Sequence, residues 1–211
     1  MKGLLLKDLY VMRSTIIVFS IIIAVLCTYP YYSIQVFGLL IASMIPMTLH
    51  SYDVRCKWHN IEKMMPYTTF KLVFSNYLAG YICLVGGSVI ELIESVVLRS
   101  CMDYYKEKIE ILVIFKLITV LFSASVVFLA LLNPPLFIFK RTGYSVILAV
   151  FGGLYGFCVS FFQDKFPLVL KWISKTSLLK LGIIEVSAII PISVLSIFIS
   201  CKLYIKGKNK A

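Results

Sequence analysis

The feature that most constrains this chain is a series of apolar runs, each about as long as a lipid bilayer is thick. A helix needs roughly 20 apolar residues to cross the hydrocarbon core, and such runs lie near 15–32, 34–51, 72–98, 109–132, 144–162 and 178–201. Only 15% of the 211 residues are charged and 60% are hydrophobic, which excludes an ordinary soluble domain. The sequence therefore predicts an all-α integral membrane protein, one transmembrane domain over residues 1–211 with six spanning helices.

The distribution of positive charge predicts how these helices are oriented. More lysines and arginines fall at the two termini and in the second-to-third and fourth-to-fifth loops than in the opposite loops. Since cytoplasmic loops carry the excess of basic residues, we expect a multi-pass protein of the cytoplasmic membrane with both termini in the cytoplasm. The net charge of +11 is scattered over several loops, which indicates anionic lipids as partners and excludes nucleic acid.

A polar stretch, Ser51–Tyr81, interrupts the apolar runs between the second and third predicted spans. Read as a helix, residues 53–65 are amphipathic, and one face carries the apolar side chains Trp58, Ile61, Met64 and Met65. Glu62 falls on the polar face, Asp53 is expected to cap the first amides, and Pro66 is expected to end the helix. The pattern fits a helix on the bilayer surface and a docking surface for a partner equally well.

Four charged residues fall near the outer ends of the predicted spans, namely Glu91, Glu94, Lys116 and Glu185. A charge at membrane depth costs about 3 kcal/mol, so such residues usually pair with one another or face a pathway. One interpretation is a structural clamp in which Lys116 pairs with Glu91 or Glu185. The other is an acidic outer vestibule that meets a cationic substrate.

Small residues at helical spacing predict close helix contacts in two spans. Gly152 and Gly156 form a small-xxx-small row on the fifth span, and Gly38 and Ala42 form a similar face on the second. These faces pack either within one chain or along a seam between two chains.

Motifs for catalysis, nucleotide binding and metal binding are missing from the sequence. It contains no HExxH, no phosphate-binding G-x-x-x-x-G-K-[ST] and no paired aspartates inside a span. Its 2 histidines and 6 widely spaced cysteines do not form a ligand set. We therefore predict no catalytic residue, no metal site and no cofactor bound by this chain.

A set of residues recurs in a recognisable order and spacing, namely Lys7, Asp8, Leu9, Asp53, Trp58, Glu62, Pro66, Lys71, Ser75, Tyr77 and Leu78. On these residues the chain resembles the ABC-2-type permease subunits of bacterial ABC exporters. In particular it is similar to the small six-span branch that exports amphipathic toxin peptides or confers resistance to antimicrobial peptides.

The resemblance implies a transport subunit and not an enzyme. Two permease chains, identical or related, would form the translocation route, and residues 53–65 would be a coupling helix that docks a separate cytoplasmic ATPase subunit. ATP and Mg²⁺ would be bound by that partner, and the expected substrate is an amphipathic or cationic peptide, with a lipid or a drug as alternatives. A membrane protein that sequesters a peptide for immunity, without transport or an ATPase partner, is the alternative function.

Overall fold

The computed structural model of the chain describes residues 2–27, 39, 42–56, 58, 61, 64–101, 111–137, 153, 165, 168–169 and 171–208. Six helices account for most of these residues, and no strand occurs among them. The helices are α1 (Lys2–Val11), α2 (Arg13–Cys27), α3 (Ile45–Arg55), α4 (Thr69–Cys101), α5 (Ile111–Leu136) and α6 (Leu178–Lys208). The predicted all-helical fold is confirmed for the described part of the chain.

Three of the described helices are long and apolar enough to cross a membrane, and they coincide with the third, fourth and sixth predicted spans. Their apolar portions are Thr69–Val97, Leu112–Leu136 and Leu178–Lys206, and α2 contributes a shorter apolar segment, Arg13–Ile22. The predicted fifth span lies outside the described residues except for Gly153, and the second is described only in part. Six spans therefore stay a prediction.

The fourth span is longer than the sequence predicts. Its expected end is residue 132, whereas α5 continues through Pro134 and Pro135 to Leu136. A proline removes the amide hydrogen that would bond to the carbonyl four residues earlier, which is why helices usually end near one. Here the Ser196 hydroxyl of α6 donates a hydrogen bond to the Ala130 carbonyl, the group that Pro134 leaves without its helical donor.

Buried apolar residues form a core at each end of the bundle. One core includes residues from each of the helices α1 to α5, and Met12, Leu49, Val73, Tyr77 and Leu129 are buried in it. The other joins the far ends of α4, α5 and α6 around Leu39, Leu117, Leu121, Ile173 and Leu181, with Leu92 packed against it. Because the start of α4 lies beside the ends of α5 and α6, α4 runs in the opposite direction to both.

Candidate coupling site

The N-terminal helix α1 turns a polar residue into the protein and apolar residues outward. Leu4, Asp8 and Met12 are spaced four residues apart, so they share one helix face, and all three are buried. Leu6 and Tyr10 are 72% and 77% exposed on other faces of the helix. A buried carboxylate such as that of Asp8 needs a compensating charge or hydrogen bonds.

Asp8 finds both kinds of partner. The Lys7 Nζ lies 2.9 Å from Asp8 Oδ1 and 2.9 Å from Asp53 Oδ1, and the Ser75 hydroxyl donates to Asp8 Oδ2 at 2.8 Å. The same ammonium group lies 4.2 Å from the centre of the Trp58 ring, within the range of a cation–π interaction. We call these five residues, Lys7, Asp8, Asp53, Trp58 and Ser75, the Lys7 cluster. It ties α1 to α3, to the segment after α3 and to the start of α4.

The charges of the cluster favour a protonated Lys7. Burial lowers the pKa of Lys7, but the charge of Asp53, together with the hydrogen bond and charge of Asp8, raises it by more. Its pKa therefore lies above the ordinary value of 10.5. Lys7 thus stays charged at neutral pH and serves two carboxylates, which suits an electrostatic tie between helices.

A small cavity of about 40 Å³ adjoins the cluster. Besides the cluster itself it is lined by Leu4, Leu49, His50, Leu72, Asn76, Phe137 and Tyr204. A water molecule needs roughly 15 Å³ of such space, so the cavity has room for two or three waters and is too small for a nucleotide or a peptide. The buried Asn76 Oδ1 has no hydrogen-bond partner within the described part of the protein, which makes it an acceptor for such a water.

The structure modifies the predicted coupling helix at two of its residues. Asp53 lies inside α3, two residues before its end, and does not begin a helix. Trp58 was expected on the docking face, but its ring packs under Lys7 within the chain. Both side chains contact the Lys7 ammonium group, which attracts the Asp53 carboxylate and the face of the Trp58 indole ring.

The apolar residues that follow Trp58 remain open to solvent or to a partner. Ile61 and Met64 are 46% and 86% exposed, Pro66 is exposed and Met65 is half-buried. Glu62 lies outside the described residues. A helix over 53–65 as a whole therefore stays a prediction, and the exposed apolar edge narrows to Ile61 and Met64.

At the opposite end of the bundle, Lys116 does not form the predicted clamp. Its Nζ donates to the backbone carbonyls of Thr176 at 2.8 Å and Ser174 at 3.4 Å, and it makes no ion pair with Glu91 or Glu185. The helical stretch 171–175 ends here, and the last carbonyls of a helix lack internal donors and carry partial negative charge. In this structure Lys116 caps that helix end, and a clamp with Glu91 or Glu185 stays a prediction.

The three carboxylates near the opposite end lie partly unpartnered. Glu91 is only 2% exposed. Among the described residues, one buried oxygen of each carboxylate, Glu91 Oε2, Glu94 Oε2 and Glu185 Oε1, has no hydrogen-bond partner. The acidic vestibule that the sequence suggested stays a prediction.

Of the predicted small-residue seams, only one member can be placed. Ala42 is 1% exposed and belongs to the core that surrounds Met12 and Leu49, so its contacts are made within this chain. Gly38, Gly152 and Gly156 lie outside the described residues.

Sequence reasoning named Asp53 and Trp58 as site residues but missed Lys7, Asp8 and Ser75, their partners. A signal was present, because all five are among the residues on which the family resemblance depends. The sequence gives no reason to place Asp8 next to Ser75, because the two residues are 67 positions apart and no local pattern links them.

The long apolar helices define a multi-pass, α-helical membrane protein. A comparison with protein families matches residues 3–205 to the family described as ABC-2 family transporter protein. The chain belongs to this family, so it is a membrane permease, the transport subunit of an ABC transporter and not itself an enzyme. A comparison with curated proteins gives no match, and neither does one with solved structures.

Proposed function

We propose that this chain is the permease of an ATP-driven exporter in the bacterial cytoplasmic membrane. Two permease chains, identical or related, form the route through the lipid bilayer. Each docks a separate cytoplasmic ATPase, which binds ATP and Mg²⁺, and the complex exports an amphipathic or cationic peptide. The end of the bundle that holds the Lys7 cluster, with both termini, faces the cytoplasm.

The observation that carries this proposal is the position of the Lys7 cluster beside an exposed apolar edge. Membership of the ABC-2 family implies an ATPase partner, and Ile61 and Met64 offer that partner two exposed apolar side chains. Exposed apolar side chains that lie close together are typical of protein interaction sites. Trp58, three residues before Ile61, contacts the Lys7 ammonium group through its ring. A movement of Ile61 and Met64 by the ATPase would therefore be transmitted to Lys7 through Trp58.

Lys7 would transmit this movement to two helices, α3 and α4. Through Asp53 it reaches α3, and through Asp8 and its bond to Ser75 it reaches the start of α4. These ion pairs are short contacts at partly buried side chains, and the Asp8 carboxylate among them is buried, so the helices that they join are expected to move together. Nucleotide-driven closure of the ATPase would therefore move α1, α3 and α4 together and change the shape of the route.

The substrate class is supported by the other end of the bundle. There the buried carboxylates of Glu91 and Glu94 lie on one helix, three residues apart, each with an oxygen that has no partner among the described residues. These oxygens are buried in this structure, and they would accept hydrogen bonds from the ammonium or guanidinium groups of a cationic peptide when the route opens and exposes them. Replacing both with glutamine should then reduce export of a cationic peptide more than that of a neutral one.

The docking proposal is tested by purifying the tagged protein from its native membrane in mild detergent. We expect an ATPase subunit to co-purify, with ATPase activity in the product. Changing Ile61 and Met64 together to glutamate should remove most of the ATPase, because a charge cannot be buried in an apolar groove without a partner.

The matched control is Trp172→Ala, a large exposed residue at the opposite end of the bundle, which should leave the co-purified ATPase unchanged. An ATPase that is still retained by the double variant would overturn the docking surface. No ATPase with the unaltered protein, in several detergents, would instead favour a protein that sequesters its peptide without transport.

A further inference from the structure

A second polar arrangement lies deeper in the bundle, between α4, α5 and α6. Tyr77 is fully buried, and its hydroxyl is in hydrogen-bond contact with Ser196 and, at 2.8 Å, with Ser200. The Ser196 hydroxyl in turn donates to the Ala130 carbonyl of α5. Ser196 and Ser200 are 4% and 0% exposed, so none of these groups is shared with solvent.

Counting hydrogens fixes the direction of the chain of bonds. A hydroxyl has one hydrogen to donate, and Ser196 uses its hydrogen on the Ala130 carbonyl. Ser196 must therefore accept the hydrogen of Tyr77, and Tyr77 must accept that of Ser200. The order Ser200 to Tyr77 to Ser196 to Ala130 leaves every donor used, and it ends on a backbone carbonyl.

That carbonyl needs an outside donor because of Pro134. In a regular helix the Ala130 carbonyl would bond to the amide of residue 134, but a proline has no amide hydrogen. Prolines are the usual sites at which helices bend, and inside a membrane the freed carbonyl must be satisfied by a neighbouring helix or side chain. The α6 hydroxyl supplies that donor.

Ser196 has a second arrangement available, which leaves the Ala130 carbonyl without that donor but keeps the Ser196 hydroxyl bonded. Serines in helices commonly donate to a carbonyl three or four residues earlier in their own helix. Ser187, also on α6, does so to Ile184 at 2.8 Å, and Ser123 on α5 does so to Thr119 at 2.8 Å. Turning Ser196 to its own helix would keep its hydroxyl bonded and release α5.

We propose that Tyr77, Ser196 and Ser200 form a latch that holds the Pro134 hinge of α5. With the latch closed, as in this structure, the last turn of α5 is fixed to α4 and α6. With the latch open, α5 bends at the turn between Ala130 and Pro134, and the segment from Pro134 to Leu136 moves relative to α4 and α6. The purpose of the latch rests on the proposed function, since Tyr77 lies two residues from Ser75 of the Lys7 cluster and would carry its movement to α5.

The test is amide hydrogen exchange, followed by mass spectrometry, on the full chain in lipid nanodiscs. Ser196→Ala should raise exchange in residues 128–137 roughly fivefold, the effect of losing one hydrogen bond, and leave residues 82–97 unchanged. Ser196→Thr keeps the hydroxyl and should match the unaltered protein. Ser187→Ala, which removes a hydroxyl that bonds only within α6, is the control for α6 itself.

The proline variants make the test specific. Pro134→Ala restores an amide hydrogen for the Ala130 carbonyl, so adding it to Ser196→Ala should return exchange to the original rate. Pro135→Ala supplies an amide donor to the carbonyl of residue 131 instead, so adding it to Ser196→Ala should leave the exchange raised. Unchanged exchange in Ser196→Ala, no rescue by Pro134→Ala, or equal rescue by Pro135→Ala would each overturn the latch. Since no ATPase is present, this result is independent of whether the docking proposal holds.

Discussion

The ammonium nitrogen of Lys7 lies 2.9 Å from Oδ1 of Asp53, a residue 46 positions further along the chain. This contact fixes the N-terminal helix to the end of α3, immediately before the segment that we propose docks the ATPase. Lys7 therefore holds the cluster together, because it contacts both carboxylates and the Trp58 ring. The first two predictions follow from its charge.

Replacing Lys7 with methionine should lower the free energy of unfolding by about 2 kcal/mol. The change keeps an unbranched apolar stem, one atom shorter than that of lysine, but leaves Asp8 and Asp53 without their cation, and breaking a fully buried pair costs roughly 3–5 kcal/mol. We expect less because the Lys7 side chain is 21% exposed. The loss is measured as a lower melting temperature in detergent. Lys71→Met, at an exposed position on the same end of the bundle, should change it little, and equal effects would contradict the role of Lys7.

The stability that Lys7 contributes should disappear at high pH. Folding raises the pKa of Lys7 above its ordinary value of 10.5, so its contribution is complete below pH 10.5 and is lost as the pH rises through the raised pKa. Other groups also titrate there, so the quantity to follow is the difference in melting temperature between the unaltered protein and Lys7→Met. From neutral pH up to about pH 10 that difference should be constant, and above this it should shrink. A difference that grows with pH would show that the sign is wrong.

Replacing Ser75 with alanine should cost about 1.5 kcal/mol of stability, the usual effect of removing a hydrogen bond to a charged group. Its hydroxyl donates to the buried carboxylate of Asp8 at 2.8 Å. Ser88→Ala is the matched control on α4, because that hydroxyl donates only to the Val85 carbonyl of its own helix. Thermal unfolding in detergent should separate the two variants, and a larger loss in Ser88→Ala would argue against the Asp8 contact.

Replacing Lys116 with methionine should loosen the segment that precedes α6. The carbonyls of Ser174 and Thr176 would lose the cation that binds them, and amide exchange over residues 171–177 should rise several-fold. Lys175→Met, in the same segment but exposed, should have no such effect. If Lys116→Met left this exchange unchanged and abolished export, Lys116 would act on the transport pathway and not as a helix cap.

The third, fourth and sixth spans were predictable because their signal is local. A run of about 20 apolar residues has one low-energy arrangement in a bilayer, a helix whose backbone groups bond to one another. The end of α5 was misplaced by the same local reasoning. Pro134 frees the Ala130 carbonyl, and the donor that satisfies this carbonyl, Ser196, lies on another helix, where local reasoning does not find it.

The candidate site was predictable only in its type. Patterns around Asp53 and Trp58 indicated a functional segment, and the resemblance to ABC-2 permeases gave it a role. Lys116 shows the limit of such reasoning, since pairing charges by depth in the membrane selected a carboxylate partner, whereas the structure offers two helix-end carbonyls. A charge takes whichever partner the packing brings near, and backbone carbonyls leave no mark in a sequence.

By itself, the sequence determined that this chain is an integral membrane protein, that it is helical, and which family it resembles. Hydrophobic runs and short motifs are made of residues that are close together in the sequence, so they can be read without the fold. Only the tertiary structure decided that Lys7 meets Asp53 and that Tyr77 meets Ser196, 119 residues away. Polar side chains in an apolar bundle must find partners or lose several kcal/mol each. Which partner they find depends on how the helices pack, and that packing is a property of the whole chain.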